Sequence, residues 1–399
     1  MIKYILTLLF ISILTLSNAQ VSDTVSTGSQ NANDVYYSLK NGIVKTEPIN
    51  NWDLAFEIAG FSASIRINHV KGIDVFQTHY PSAAWTTMDT TQKNTWKMMY
   101  NSQYVWTLGA FNRHTDGNFN LGWGVYDPGS HIIQGDSIYV LKFADGSFKK
   151  ITFINLNSGT YNFKYANLDG SGEKTMSISK TDYKTKNFVY YTFAGDAIVD
   201  REPATADWDL IFTKYTEFIP TPYNVAGVWT NKGVKCAEAR NVSTSIVNYI
   251  PYYFSDTASK IGYDWKTYNG STNSYDITDN LVYFVRTSSN EVYKIVFTGY
   301  IGGASGSYYF TKQAIIAGIK HQNQPGISMF PNPVNDVLTI KLSDGNKLVN
   351  FTILDFTGKV ILTGNNEIIS TQHLIQGVYT IVVETENGFS NFRFLKASK

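Results

Sequence analysis

Four of the six histidines of this chain lie between residues 69 and 131, and no histidine occurs between residues 187 and 319. The histidine-containing stretch also holds methionines and several tryptophans. Imidazole and thioether groups are ligands for transition metals, and aromatic side chains can line a ligand pocket. We therefore predict at most one metal-dependent site, in the first part of the chain. The candidate ligands are His69, His79, His114, His131, Met88, Met98 and Met99.

Sequence signatures of common enzymes are missing. The chain has no His-Glu-x-x-His zinc motif, Gly-x-Ser-x-Gly elbow, phosphate loop or EF-hand loop. Ser305 lies among glycines, but nothing in the sequence places a base beside it. Residues 169–173 carry too few spaced carboxylates for a calcium site. Paired acids for glycoside hydrolysis could arise by folding, but nothing nominates a pair. We expect a binding protein rather than an enzyme.

Composition indicates which elements must position these residues. Aromatic residues make up 15% of the chain, and they favour half-buried strand positions, which predicts an all-β protein. The formal charge of +1 gives no electrostatic footprint for nucleic acid or an anionic membrane. The single cysteine, Cys236, excludes an intrachain disulfide, so packed cores must provide the stability. We expect Cys236 to be a buried strand residue.

The sequence from residue 33 to residue 319 contains one pattern twice. A tyrosine pair precedes a Trp-Asp-Leu run, and a lysine-containing hairpin follows at residues 139–153 and 282–297. In each Trp-Asp-Leu-x-Phe run, alternation predicts Trp, Leu and Phe on one face and Asp on the other. We predict two tandem antiparallel β-rich modules. The paired positions are Tyr36, Tyr37, Trp52, Asp53 and Leu54, and Tyr190, Tyr191, Trp208, Asp209 and Leu210.

The beginning of the chain is typical of a secretory signal peptide. Lys3 precedes an apolar stretch, and small residues end at Ala19 before Gln20. An uncleaved membrane anchor is the alternative, and no later segment approaches a membrane span. The predicted organisation is a signal peptide at residues 1–19, a flexible linker at 20–32, a first module at 33–168, a connecting hairpin or linker at 169–186, a second module at 187–319, a linker at 320–327 and a C-terminal domain at 328–399.

The C-terminal domain contains about seven short apolar runs separated by turn pairs such as Thr357-Gly358. This spacing predicts a seven-stranded antiparallel β-sandwich. The run Met-Phe-Pro-Asn-Pro at residues 329–333, the Gly-Val-Tyr at 377–379 and the basic end at Lys396 and Lys399 resemble the type A C-terminal sorting domain of the type IX secretion system. The resemblance implies export through the periplasm to the outer surface or the medium of a Bacteroidota-type cell, with the secretion machinery as a partner. An ordinary small β-sandwich is the alternative.

The order of motifs in the duplicated body resembles the HmuY-like family of Bacteroidota surface proteins. The first copy has Ile-Arg-Ile-Asn at residues 65–68 followed by Gly72, and the second has Trp-Thr-Asn-Lys-Gly at 229–233 without the arginine. Family members are all-β, and the best-known ones hold haem between two axial His or Met side chains. The resemblance therefore implies a haem site. Its candidate iron ligands are His114 and His131, with His79 as a third candidate, and His69 is interpreted as a turn residue.

A different class of function uses the same aromatic residues. The tryptophan-rich stretch at residues 85–123 could stack on sugar rings, so a glycan-binding or adhesin-like surface protein without a cofactor is the alternative. The plainest interpretation assigns nearly all aromatic side chains to the core. A haem complex would have a Soret band, and a glycan complex would not.

Overall fold

The computed structural model of the protein describes residues 20–397 except 92, 114, 116, 118, 316–325, 344–346 and 387. The predicted signal peptide and His114 lie outside the described residues. Across these residues, the helical elements are short turns between strands, and the prediction of an all-β protein is confirmed. They are the 3-10 turns Ser29–Asn31, His69–Lys71, Ser82–Ala84, Lys93–Thr95, Ala110–Asn112, Thr181–Tyr183 and Thr205–Asp207, and the α-turn Gly302–Ser305.

The first lobe is built from an eight-stranded and a four-stranded antiparallel sheet. The predicted hairpin at residues 139–153 is confirmed, with Ile138 opposite Thr152, and Phe56 and Phe153 meet edge to face in the core. The larger sheet contains Asp74–Pro81, Lys97–Met99, Gly124–Asp127, Ile132–Gly135, Ser137–Lys142, Phe148–Asn157, Thr160–Asn167 and Lys174–Ser179. The smaller contains Leu54–Glu57, Ile65–Ile67, Phe188–Thr192 and Ala197–Val199.

The second lobe has a five-stranded, a four-stranded and a two-stranded antiparallel sheet. Cys236 is fully buried in its core, as predicted. The five-stranded sheet contains Val21–Ser26, Lys235–Arg240, Leu281–Arg286, Val292–Ile301 and Ser307–Ile315. The four-stranded sheet contains Asn33–Ser38, Gly42–Pro48, Leu210–Phe218 and Pro222–Thr230, and the small sheet pairs Lys266–Asn269 with Ser274–Ile277.

The two tyrosine strands are exchanged between the lobes. Asn33–Ser38 pairs with Leu210–Phe218, and Phe188–Thr192 pairs with Leu54–Glu57. The core of each lobe therefore contains a strand that the repeat pattern places with the other copy. The module boundaries predicted at residues 33–168 and 187–319 do not coincide with these cores. The exchange therefore links the two sequence copies through backbone hydrogen bonds as well as through the chain that connects them.

The segments predicted as a flexible linker (residues 20–32) and as a connecting hairpin or linker (residues 169–186) both contribute strands to sheets, and the second forms a hairpin with Thr160–Asn167. The interpretation of residues 20–32 as a flexible linker is wrong, because Val21–Ser26 pairs along its whole length with Ser307–Ile315 and buries Val25 completely. In the segment at residues 169–186, Lys174–Ser179 pairs with Thr160–Asn167 and extends the larger sheet of the first lobe. A polar strand at a sheet edge carries little apolar signal, so its sequence is easily confused with that of a linker.

The C-terminal domain has a three-stranded and a four-stranded antiparallel sheet among its described residues. Side chains from both sheets, including Leu338 and Phe351, pack in one core. The smaller sheet contains Ile327–Phe330, Val337–Leu342 and Ile368–Ser370. The larger contains Leu348–Leu354, Val360–Gly364, Gly377–Thr385 and Gly388–Lys396.

Candidate functional site

The candidate haem ligands His79 and His131 lie in different elements of the first lobe, His79 in the strand Asp74–Pro81 and His131 just before the strand Ile132–Gly135. His79 and His131 are exposed, and neither lines the cavity or the cleft described below. His131 lies in a turn, where a ring nitrogen is 2.7 Å from the Tyr126 hydroxyl. The structure provides no position for His114. Of the candidate methionines, Met98 accepts a hydrogen bond from the Tyr100 hydroxyl at 2.9 Å.

His69 lines the interlobe cavity described below. It begins the 3-10 turn that follows Asn68, which agrees with its interpretation as a turn residue. Its ring packs against Tyr100 with a centroid distance of 5.0 Å. Burial lowers the pKa of His69 to about 4, so its imidazole is neutral at physiological pH.

The two tryptophans of the Trp-Asp-Leu runs lie between the lobes, which corrects their predicted placement. Leu54 and Phe56 enter the first core, whereas Trp52 packs with Tyr190 on the opposite side, at an edge-to-face distance of 5.1 Å. Trp208 packs against Tyr36 at the same distance. The strands begin only after the aspartates, so the strand alternation does not extend back to the tryptophans.

The aspartates of the two runs have equivalent structural roles. A carboxylate oxygen of Asp53 accepts a hydrogen bond from the Phe193 backbone at 2.6 Å, and Asp209 accepts one from the Leu39 backbone at 2.8 Å. Each carboxylate thus fixes the chain just after an exchanged tyrosine strand.

Two asparagines fix the turns that precede the Trp-Asp-Leu runs. The Asn68 amide donates to the carbonyl of Ile49 at 2.8 Å and to that of Trp52 at 3.0 Å. The Asn231 amide donates to the carbonyls of Thr205 and Trp208, both at 2.8 Å. The duplicated motif therefore orients the aromatic residues between the lobes rather than carrying chemistry itself.

Arg66 lies at the centre of the interface between the lobes. Its guanidinium is 5.5 Å from the ring centroid of Trp106 and 5.4 Å from that of Trp229. It donates hydrogen bonds to the backbone carbonyls of Val105, Trp106 and Ser102. None of the carboxylates described in the structure forms an ion pair with it within 4 Å. Burial lowers the pKa of Arg66 to about 10, so it stays charged at neutral pH.

A second buried arginine joins the two lobes. Arg201 donates to the Asp34 carboxylate at 2.8 Å, and the two side chains are 1% and 5% exposed. The neighbouring Glu202 accepts hydrogen bonds from the backbone of Asn187 at 2.9 Å and of Phe188 at 3.1 Å. Burial outweighs these bonds and raises the pKa of Glu202 to about 7.

These side chains surround an interlobe cavity with a volume of about 90 Å³. Both lobes contribute to it, because the exchanged strands bring Asp34 and Tyr190 to its walls. Half-buried Lys214, Thr216 and His69 lie where the cavity approaches the surface. The remaining walls include Trp52, Arg66, Trp106, Phe188, Arg201, Ile211, Tyr215 and Trp229.

An open cleft in the second lobe is much larger, with a volume of about 800 Å³. Its walls carry exposed aromatic side chains: Tyr253 is 86% exposed, Tyr104 51% and Phe218 41%. Tyr104 comes from the first lobe, and its backbone carbonyl accepts a hydrogen bond from Ala258 at 2.8 Å. The cleft is therefore formed by segments from both halves of the chain. It also contains Tyr215, Glu217, Glu238, Ser255, Thr257, Ser259, Lys260, Gly262, Tyr263 and Asp264.

The carboxylates of the open cleft are already bonded to other side chains. Glu238 pairs with Lys260 at 2.6 Å, and Asp264 pairs with Arg240 at 2.6 Å. Glu217 accepts a hydrogen bond from the Gln103 amide at 2.9 Å. These contacts hold the acids in fixed positions, as in a polar binding surface.

The sequence patterns predicted no part of the open cleft, and they singled out only some of the residues that line the cavity. The cleft combines residues 104, 215–218 and 253–264, which are distant along the chain. Arg66 was visible as a member of a repeated motif, and its absence from the second copy was the signal that this position differs between the lobes.

Among the described residues, no group of three or more His, Cys, Asp or Glu side chains could hold a metal ion. The same part of the chain contains no helix that is long and apolar enough to cross a membrane.

Residues 328–396 match the family described as the secretion system C-terminal sorting domain. The match agrees with the resemblance to a type IX secretion sorting domain and indicates export to the cell surface or the extracellular space. No curated protein sequence matches the chain.

Two solved structures are similar to parts of this chain. A candidate lipoprotein of Bacteroides fragilis is 15% identical, with a TM-score of 0.18, over 41% of this chain and 88% of its own. Dimeric latent PorU of Porphyromonas gingivalis is 10% identical, with a TM-score of 0.14, over 95% of this chain and 34% of its own. Such low TM-scores do not establish a shared fold.

Proposed function

We propose that this protein, exported by its type IX sorting domain, is a surface or secreted binding protein that holds glycan chains in the open cleft. The observation that carries the proposal is the exposure of Tyr253, Tyr104 and Phe218 along one cleft. Large aromatic side chains exposed together are costly to leave in water and mark binding surfaces. Their flat faces can stack on the apolar faces of sugar rings.

The polar side chains of the cleft complement this aromatic surface. Ser255 and Thr257 bond to each other through their hydroxyls at 2.8 Å, and Lys260 and Glu238 form an ion pair beside them. Hydroxyl, carboxylate and ammonium groups can exchange hydrogen bonds with sugar hydroxyls. A combination of aromatic platforms and polar groups favours a polyhydroxylated ligand over a purely apolar one.

A binding role fits the cleft better than hydrolysis. Glycoside hydrolysis needs one carboxyl that can donate a proton and a second that is free to act as a base or nucleophile. Asp264 and Glu238 are engaged by Arg240 and Lys260.

The test is affinity electrophoresis of the mature chain in gels that contain one soluble polysaccharide each: laminarin, xylan, dextran or mucin. We expect retardation by at least one polymer. Tyr253→Ala should weaken that binding about fivefold, because a lost aromatic contact contributes about 1 kcal/mol. Tyr268→Ala is the matched control, since Tyr268 is also exposed but does not line the cleft.

The electrophoresis separates the outcomes. Retardation that Tyr253→Ala reduces and Tyr268→Ala leaves unchanged supports the cleft as the glycan site. Retardation that neither variant changes would place glycan binding elsewhere. Mobility unaffected by every polymer would refute the proposal for these glycan classes.

We further propose that the duplicated body is HmuY-like. The support is the repeated order of its motifs and the matching roles of Asn68 and Asn231. Haem binding through His79, His114 or His131 stays a prediction, and no contact among the described residues favours it. A haem titration of the mature chain tests it: a saturable Soret band lost in His131→Ala or His114→Ala would support haem, and absorbance equal to that of free haem would exclude it.

A further inference from the structure

We infer that the interlobe cavity is a binding site for a small organic anion, specifically a flat monocarboxylate of few heavy atoms, such as a short unsaturated carboxylic acid. This site is separate from the open cleft. Three features of the cavity support it: the charge of its walls, hydrogen-bond donors that lack partners, and the aromatic surface between them.

The cavity walls carry more positive than negative charge. Arg66, Arg201 and Lys214 line the cavity, and Asp34 is the one carboxylate among the described lining residues. Asp34 already pairs with Arg201. His69 is neutral, because burial lowers its pKa. Arg66 therefore remains without a carboxylate partner in the described structure, and burying unpaired charge is costly. The half-buried Lys214 ammonium donates to the Gln30 carbonyl at 2.9 Å.

Stacking between the indoles of Trp106 and Trp229 offsets only part of the cost of burying the Arg66 charge. Three of its N–H groups donate to the backbone carbonyls of residues 102, 105 and 106, whereas a guanidinium has five N–H donors. A carboxylate is the acceptor that matches guanidinium geometry, and it would supply the missing negative charge. A single negative charge neutralises Arg66, which favours a monoanion over sulfate or phosphate dianions.

Several buried donors around the cavity have no partner in the described structure. They include the indole N–H of Trp52 and the Nε–H of Arg201. The ring nitrogens of neutral His69 and the Tyr215 hydroxyl, which can both donate and accept, are also unpartnered and line the same cavity. The indole of Trp106, in contrast, donates to the Thr230 carbonyl at 2.8 Å. Unpartnered buried donors are rare in native proteins and call for an acceptor. Because the Trp52 and Arg201 groups can only donate, they favour a ligand that accepts hydrogen bonds.

The shape and composition of the walls define the body of the ligand. Trp52, Trp106, Phe188 and Tyr190 contribute flat aromatic faces, which favour a flat and largely apolar body behind the carboxylate. A volume of about 90 Å³ restricts the ligand to a few heavy atoms. Lys214 is half-buried at the rim, where its charge can attract an anion toward the interior.

The first experiment uses acrylate as the probe and allyl alcohol as an uncharged probe of similar shape. The mature chain carries ¹⁵N-labelled tryptophan, and Trp52→Phe assigns the Trp52 indole signal. We expect saturable titration of the Trp52 indole N–H by acrylate, with little change from allyl alcohol. The control within the same spectrum is Trp265, whose indole already donates to the Gly262 carbonyl at 3.2 Å in the second core.

The second experiment measures acrylate binding by calorimetry in charge variants. Lys214→Gln removes a rim charge without entering either core and should weaken binding about five- to tenfold. Lys235→Gln is the matched control, because Lys235 is an exposed lysine that does not line the cavity. Acetate and sulfate, added in turn, separate carboxylate recognition from general anion binding.

Acrylate binding that is weakened by Lys214→Gln, unchanged by Lys235→Gln and accompanied by movement of the Trp52 signal supports the proposal. Equal binding of allyl alcohol would contradict anion selectivity, and tighter binding of sulfate would contradict the monocarboxylate. If no probe shifts the Trp52 signal at about 10 mM, a concentration that detects even millimolar dissociation constants, the cavity holds water only and the proposal fails. Failure here leaves the glycan proposal untouched, because the cleft and its test are separate.

Discussion

Replacing Arg201 with methionine tests whether a buried ion pair holds the exchanged strands in place. Arg201 follows the strand Ala197–Val199 of the first lobe, and Asp34 belongs to the strand Asn33–Ser38 in the second lobe. Their contact is 2.8 Å long. The Arg201 guanidinium also lies 5.1 Å from the ring centroid of Tyr190. Methionine keeps an apolar chain against this ring and removes only the charge and its hydrogen bonds.

The burial of the pair sets the size of the effect. Both side chains are at most 5% exposed, so solvent does not screen their interaction. In Arg201→Met the Asp34 carboxylate stays buried, and the Thr213 hydroxyl at 2.5 Å remains as its donor. Leaving one member of a buried pair uncompensated destabilises a protein by about 3–5 kcal/mol. We expect a loss of that size in the free energy of unfolding.

Urea denaturation followed by tryptophan fluorescence measures this loss. Asp200→Asn is the matched control: Asp200 precedes Arg201 and pairs with Lys186, but it is 63% exposed, so its loss should cost less than about 1 kcal/mol. Combining Arg201→Met with Asp34→Asn should cost clearly less than the sum of the two single changes. A loss below about 1 kcal/mol for Arg201→Met, or strict additivity of the two changes, would refute the reasoning.

Three further predictions concern stability. The folded-state pKa of Glu202 is raised from 4.5 to about 7, so the folded protein binds more protons there than the unfolded chain. This contribution to stability is present below pH 4.5 and is lost as pH rises through 7, and the loss is about 3 kcal/mol. The difference in unfolding free energy between pH 5 and pH 8 should therefore be smaller in Glu202→Gln than in the unmodified protein. Asn68→Ala and Asn231→Ala should each cost about 2–4 kcal/mol in thermal unfolding, because each leaves two buried carbonyls without donors; unequal costs, with one near zero, would contradict their equivalence. Deleting residues 20–32 should destabilise the second lobe by at least about 2 kcal/mol, since the deletion removes Val25 from its core and unpairs a strand; an unchanged melting curve would show that this strand contributes nothing.

The structure confirms several expectations that depend on local patterns. Cys236 is buried in a strand, and the hairpin predicted at residues 139–153 forms. The C-terminal motifs identified a sorting domain that the family comparison also finds at residues 328–396. These features are encoded by alternation, turn residues and short motifs, all of which act over a few neighbouring residues.

Other expectations required information that local patterns do not carry. Residues 20–32 resembled a linker because their strand is polar, yet Val25 completes the second core. Trp52 was assigned to the face of Leu54, although the strand begins only after Asp53. In both cases the decisive contact is with a residue more than a hundred positions away, Ser307–Ile315 for the first and Tyr190 for the second.

The sequence by itself determined the all-β class and the export signal, and it indicated a repeated pattern, because each follows from the types and spacing of nearby residues. Only the tertiary structure decided which lobe receives each tyrosine strand, since strands with the same alternation can pair with either copy and the fit of their buried side chains selects the partner. That exchange brings Asp34 and Tyr190 into the walls of the interlobe cavity, which Arg66 also lines. The open cleft likewise exists only because Tyr104 of one lobe meets residues 253–264 of the other.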